Sequence, residues 1–117
     1  MRGRPLDLQT FKADFFKALA HPLRIRILEV LRRHDRSVQE LQVALEVDQS
    51  AVSQQLAILR AKHVVVARKE GTTVRYAIRD PLVGDLLDVA RRIFNNQLSG
   101  HQDLLRALQR EVRRPAR

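Results

Sequence analysis

Ser37-Val38-Gln39-Glu40-Leu41-Gln42-Val43-Ala44-Leu45-Glu46-Val47-Asp48-Gln49-Ser50-Ala51-Val52-Ser53-Gln54-Gln55-Leu56-Ala57-Ile58-Leu59-Arg60-Ala61-Lys62 is the stretch that decides the fold. It opens on Ser-x-x-Glu, in which the hydroxyl and the carboxylate each satisfy an amide left over at a helix start. The spacing predicts a short helix from about Val38 to Leu45 that buries Val38, Leu41 and Leu45. Asp48 can cap again, and Val52, Leu56 and Leu59 supply the inward stripe of a second helix ending near Lys62. Two helices joined by so tight a turn read as a helix-turn-helix over about 38–62.

Upstream, Leu8, Phe11, Phe15 and Leu19 recur at helical spacing, so a helix is expected over about 8–20. His21-Pro22 punctuates it, because proline disfavours a helical residue before itself yet fits the first turn of a new helix. That next helix carries Leu23, Ile27, Leu28 and Leu31 on one stripe and should stop near His34-Asp35. His21 reads as a cap at its entry, and His63 as a left-handed residue closing the helix that ends near Lys62.

Downstream, the period changes from 3.6 to 2. Val64, Val65 and Val66 lead into Arg68-Lys69, the turn Glu70-Gly71-Thr72-Thr73, and Val74-Arg75-Tyr76-Ala77-Ile78, with Val74, Tyr76 and Ile78 on one face. This predicts a β-hairpin with a charged tip over about 64–78. Asp80-Pro81 then combines a cap with a first-turn proline, and apolar residues from Leu82 to Leu108 extend a last helix over about 81–112. Ser99-Gly100 is the point where that helix can kink or break, and the basic tail from Arg113 to Arg117 is expected to fray. The expected fold is mainly α with a β-hairpin wing, one domain spanning 1–117. Its order is four helices, two strands and a final helix, a winged helix-turn-helix.

A chain of 117 residues is about one domain's worth. The 22 Lys+Arg against 13 Asp+Glu leave a net charge of +9, which points to an anionic partner. Residues 49–80 and 81–117 both carry a basic excess while Glu40, Glu46 and Asp48 oppose it, so the charge is spread along the chain. Aromatic residues make up 4% of the chain, few for the stacking platforms of single-strand binders, so duplex DNA is the favoured nucleic acid. There is no cysteine, which excludes disulfides, thiolate metal sites and thiol catalysis, and a reduced cytoplasm is the expected location. No apolar run approaches the about 18 residues a membrane helix needs, and no h-region follows Met1-Arg2-Gly3-Arg4, so neither spanning nor export is expected.

Three motifs in this order carry a family resemblance. They are Lys17-Ala18-Leu19-Ala20-His21-Pro22-Leu23-Arg24-Ile25-Arg26-Ile27-Leu28, then Ser50-Ala51-Val52-Ser53-Gln54-Gln55-Leu56-Ala57-Ile58-Leu59-Arg60, then Gly71-Thr72-Thr73-Val74-Arg75-Tyr76. Over roughly residues 11–96 the chain resembles the ArsR/SmtB transcriptional regulators. The resemblance implies a homodimeric winged helix that binds an inverted-repeat operator, as a repressor rather than an activator. The residues agree with it. Gln49, Ser50, Ser53 and Gln54 form a polar outer face of hydrogen-bonding side chains suited to base edges in a major groove, and the resemblance implies that these positions contact DNA. On the hairpin Arg68, Lys69, Thr72 and Arg75 are expected to meet phosphates or the minor groove, with Arg60 as a lesser candidate.

The first and last helices hold more apolar residues than one docking stripe requires: Phe11 and Phe15 in one, Leu82, Leu86, Val89 and Ile93 in the other. The resemblance implies that these two helices pair across a two-fold axis, giving a homodimer. It also brings two recurring metal sites to look for. The first needs cysteines that Glu40 to Leu45 lack. The second, in the last helix, falls on Asp88, Ala90, His101 and Leu104. No metal is expected; the alternative is nickel or zinc held by Asp88 and His101, which leaves the ion short of the usual four or so ligands. Asp88 then reads as a solvated charge and His101 as a polar residue near a helix break. A second, sensing protein is a partner to consider for a regulator without a complete effector site. Asp85, Asp88, Asp103 and His101 are the only acid and histidine grouping on one element, without nucleophile or phosphate loop, so no enzymatic activity is expected. The competing class is a winged helix that binds an acidic protein partner.

Overall fold

The computed structural model describes residues 7–98 and 101–113. Helix α1 (Leu8–Leu19) begins at Asp7, whose carboxylate accepts from the Thr10 amide at 2.8 Å. Helix α2 (Pro22–Leu31) begins at His21, where Nδ1 accepts from the Leu23 amide at 3.1 Å. The expected cap is therefore present, and Pro22 supplies the first turn, where no amide donor is needed. Helix α2 stops at Leu31, short of the His34-Asp35 end expected from the sequence. Residues 32–34 turn, and Arg36–Ser37 form a two-residue strand, β1.

Helix α3 (Val38–Leu45) carries the full capping box: the Glu40 amide donates to Ser37 Oγ and the Ser37 amide to Glu40 Oε1. It closes at Glu46, which takes a left-handed φ of 56°. Helix α4 (Gln49–Ala61) follows after Val47 and Asp48; Asp48 stands at the cap position but its side chain makes no cap hydrogen bond, contrary to expectation. His63 adopts φ 62°, and its left-handed turn sends the chain directly into strand β2 (Val65–Glu70). Gly71, φ +65°, and Thr72 join β2 to strand β3 (Thr73–Ile78), with Glu70 opposite Thr73 and Arg68 opposite Arg75. A positive φ at the first loop residue is the backbone glycine adopts without strain.

Two departures from the sequence expectation concern topology. Strand β1 pairs antiparallel with β3, Arg36 opposite Tyr76 and Ser37 opposite Arg75, so the wing is the outer part of a three-stranded sheet ordered β1-β3-β2. Two residues are too few to show an alternating pattern. The last helix is two helices, α5 (Leu82–Gln97) and α6 (Gln102–Arg113), which meet through the Arg91 side chain on the Leu108 carbonyl. Ser99-Gly100, where the break was expected, lie outside the described residues. Helix α5 starts one residue after Pro81, with Asp80 Oδ1 accepting from the Leu82 amide at 3.0 Å.

The core gathers around α4. Val52, Leu56 and Leu59 are buried against Ile27, Leu28 and Leu31 of α2 and Leu41 and Leu45 of α3, with Ala18, Leu19, Val64, Val65 and Val83 closing the edges. Val38, Tyr76 and Ile78 pack on it partly buried, while Val74 stays exposed. The helix stripes read from the sequence thus hold for α2, α3 and α4. In α1 the outcome differs: Leu19 is buried, but Leu8, Phe11 and Phe15 are exposed within the single chain. Leu56→Ala, at the centre of this packing, should lower unfolding free energy by about 2–5 kcal/mol, measured as a reduced denaturant midpoint with unchanged slope.

Candidate nucleic-acid interface

Burying Val52, Leu56 and Leu59 rotates the other side of α4 into solvent. Gln49, Ser50, Ser53 and Gln54 all lie there, exposed, over the first turns of the helix, and Arg60 is exposed near its end. Gln55, one residue from Gln54, is instead half-buried, and its Oε1 accepts from Arg24 Nη1 of α2 at 3.2 Å. Two adjacent glutamines therefore divide between an outward face and a tie to α2.

The expected wing residues do not share one fate. Lys69 and Thr72 are exposed. Arg68 is 68% exposed and holds Asp35 with one guanidinium nitrogen at 3.1 Å. Arg75, across the hairpin, is 20% exposed and is taken up inside the chain. Its Nη2 donates to Glu40 Oε1 at 3.0 Å and to the Asp35 carbonyl at 3.0 Å, its Nε lies 3.6 Å from Asp35 Oδ2, and Glu70 stands 4.0 Å away. Glu40 meanwhile caps α3. The Ser37 amide first, and Arg75 after it, hold the Glu40 carboxyl below the usual carboxylate range. Arg75, expected as a phosphate contact, here serves as the clamp that ties the wing to the start of α3. Asp35 and Glu40 lie dozens of residues from Arg75 in sequence, so no local pattern announces this junction.

The residues expected to pair two protomers are largely exposed. Phe11 is 63% exposed and Leu82 67%, with Phe15, Val89 and Ile93 also open; Leu86 is half-buried against the core. Phe15 lines a cleft together with Leu82, Val83 and Leu86, which brings one exposed aromatic of α1 beside the start of α5.

Asp88 is not the solvated charge expected from the sequence. Arg32, which caps the end of α2, grips it with both guanidinium nitrogens, at 2.5 and 2.7 Å, and this hydrogen bonding holds the Asp88 carboxyl below its ordinary range. His101 is exposed ahead of α6. Among the described residues no three His, Cys, Asp or Glu side chains come together as metal ligands. No helix among them is long and apolar enough to cross a membrane.

With this geometry, comparison with known proteins decides the family. Residues 21–65 match the family described as "Bacterial regulatory protein, arsR family". The chain belongs to the ArsR family. It is 47% identical over 111 residues to the uncharacterized HTH-type transcriptional regulator Rv0081 of Mycobacterium tuberculosis, an alignment covering 92% of this chain and 94% of the relative. The crystal structure of Rv0081 superposes with a TM-score of 0.74 at 46% identity, covering 82% of this chain and 97% of that one. A transcriptional repressor SmtB homolog of Synechocystis sp. is 42% identical over 81 residues, 69% of this chain and 61% of the relative. The solution structure of the homodimeric winged helix-turn-helix domain of Mb0332 from Mycobacterium bovis matches with TM-score 0.72 at 29% identity, covering 86% of this chain and 96% of that one. This ArsR-family chain is a DNA-binding transcriptional regulator with a winged helix-turn-helix fold.

Two predictions follow from the side-chain geometry. Arg75→Ala should lower the melting temperature, because the wing loses its clamp and Glu40 and Asp35 lose a cation; Arg68→Ala, its exposed neighbour, should leave the melting temperature nearly unchanged. Burial, followed by the nearby Glu111 charge, pushes the Glu29 carboxyl above its ordinary value despite Arg91. An acid raised in the folded state favours folding at low pH and loses that contribution as pH rises through its folded value. Glu29→Gln should therefore raise the melting temperature at neutral pH and flatten its decline as pH rises from about 4.5, measured by thermal melts across pH.

Proposed function

We propose that this regulator works as a homodimer, pairing through α1 and α5, and represses transcription by occupying an inverted repeat in duplex DNA. The carrying observation is the exposed Gln49, Ser50, Ser53 and Gln54 face of α4. Hydrogen-bonding side chains of this kind read base edges in the major groove. Exposed Arg68, Lys69 and Thr72 on the wing, with Arg60, would contact the backbone and set register. Arg75 contributes by holding the wing in place.

The dimer is supported by the surface on which Phe11, Phe15, Leu82, Val89 and Ile93 lie open. Large apolar side chains left open in this number support an interaction surface. Mb0332, similar in fold, is a homodimer. An isologous pair places two α4 helices for two half-sites. Repression is the sign we infer, since the Synechocystis relative is named a repressor. A regulator of this bacterial family acts where the DNA is, in the cytoplasm, and we assign it no enzymatic role and no resident metal. Support for the last is that both Asp88 oxygens are committed to Arg32.

Selection of genomic fragments with purified protein should enrich an inverted repeat. No enriched sequence would favour the competing role, a winged helix that binds an acidic protein. On that repeat, Gln54→Ala should reduce discrimination against random duplex by about 1–3 kcal/mol, and equal losses on both DNAs would refute its readout role. Arg68→Ala should instead weaken both and reduce the salt slope by about one. Ile93→Asp should sediment as a monomer, and an unchanged dimer would refute the α1–α5 pairing.

A further inference from the structure

Gly84, Asp88 and Arg91 lie on the side of α5 away from Leu82, Leu86, Val89 and Ile93, since two residues along a helix turn it by about 200°. This side faces α2, with Arg32 over Gly84 and on Asp88. There α2, α3, α5 and α6 border a cavity of about 510 Å³. Arg26 of α2, Arg32 and Arg33 of the turn after it, and Arg91 of α5 bring four cations to it, and Val30, Ala44, Leu45 and Val112 add apolar wall.

The arginines are not equally committed. Arg32 is taken by both oxygens of Asp88, and Arg26 donates to the Leu45 carbonyl at 2.9 Å. Arg91 is shared among longer contacts: Glu111 at 3.2 Å, the Leu108 carbonyl at 3.5 Å and Glu29 at 3.7 Å. A well-formed guanidinium–carboxylate fork has contacts of about 2.7–2.9 Å, so Arg91 is under-used. Its nearest carboxylate partner, Glu111, sits half-exposed near the end of α6. Helix α6 itself is lightly held: Leu105, Ala107 and Leu108 are only partly buried, and Leu104 and Val112 are exposed.

We propose that this cavity is the effector site of the regulator, and that it takes a small organic carboxylate, which replaces Glu111 on Arg91 and releases α6. The volume is of the order used for small ligands, about 300–1,000 Å³. A free carboxylate can form the two-pronged contact with Arg91 that Glu111 does not. Glu29, 3.7 Å from Arg91, borders the same site as a second acid. Glu111 competes for Arg91 only while α6 is docked, which gives the ligand the differential affinity that a conformational shift requires. Helix α5 carries the cavity on one side and the apolar pairing face on the other, so a change in its hold on α2 reaches the dimer. This last step rests on the homodimer reading above.

Calorimetric titration of the full chain with sodium succinate, against sodium chloride at matched ionic strength, tests the site without DNA. Saturable binding is expected, tightened about tenfold in Glu111→Gln, where the internal competitor is gone, and lost in Arg91→Met. Arg91→Lys, which keeps the charge and removes the fork, carries the comparison should Arg91→Met fail to fold. Absence of binding to both the parent protein and Glu111→Gln, or binding unchanged in the Arg91 variants, overturns the proposal. Operator binding and sedimentation run in parallel with and without succinate. Succinate that binds yet alters neither overturns the effector role, whereas a ligand-free protein that neither dimerises nor selects an operator overturns the regulator reading and leaves the titration to stand by itself.

Discussion

Everything at the DNA-facing side depends on the burial of Val52, Leu56 and Leu59 against α2 and α3. Three apolar residues at helical spacing set the rotation of α4 about its own axis, and that rotation carries Gln49, Ser50, Ser53 and Gln54 outward. The same packing sets the start of the wing. Leu59 lies in the core, the left-handed turn at His63 follows at once, and Val64 and Val65 return to the core before the hairpin leaves it. Two polar ties add to this packing: Arg24 of α2 holds Gln55 of α4, and Arg75 holds the wing to Glu40 and Asp35 at the start of α3.

A net charge of +9 describes the chain poorly unless each arginine is placed. Arg24, Arg26, Arg32 and Arg75 are spent on carbonyls, amides and carboxylates of the chain itself, and Arg91 is shared among longer contacts. Arg60, Lys62, Arg68 and Lys69 remain exposed along α4 and the wing. Lys12 and Lys17 on α1, Arg92 on α5 and Arg106 and Arg110 on α6 are exposed as well, so available positive charge is spread over the molecule as it is along the sequence. Asp35 connects the two groups, since it holds half-buried Arg75 and exposed Arg68 together.

Helix α5 is the mechanical centre of the other side. One face packs Val83 and Leu87 near the core and lays Asp88 and Arg91 against α2; the opposite face leaves Leu82, Val89 and Ile93 open. Displacement of such a helix is felt on both faces, because packed interfaces move between discrete arrangements rather than deforming smoothly.

Local pattern in the chain is enough to specify the helix-turn-helix, its capping box, the hairpin with its glycine turn, the caps at His21 and His63, and the polar face of α4. Each of these depends on residues within a few positions of one another, where helical and strand periods and capping chemistry operate. Three-dimensional packing was needed to show that β1 adds to the sheet, that α6 folds back on Arg91, that Arg75 clamps the wing and that Asp88 belongs to Arg32. These contacts join residues from about 17 to 56 positions apart, and which cation meets which carboxylate at such separations is set by the packing of the helices between them, not by any spacing along the chain.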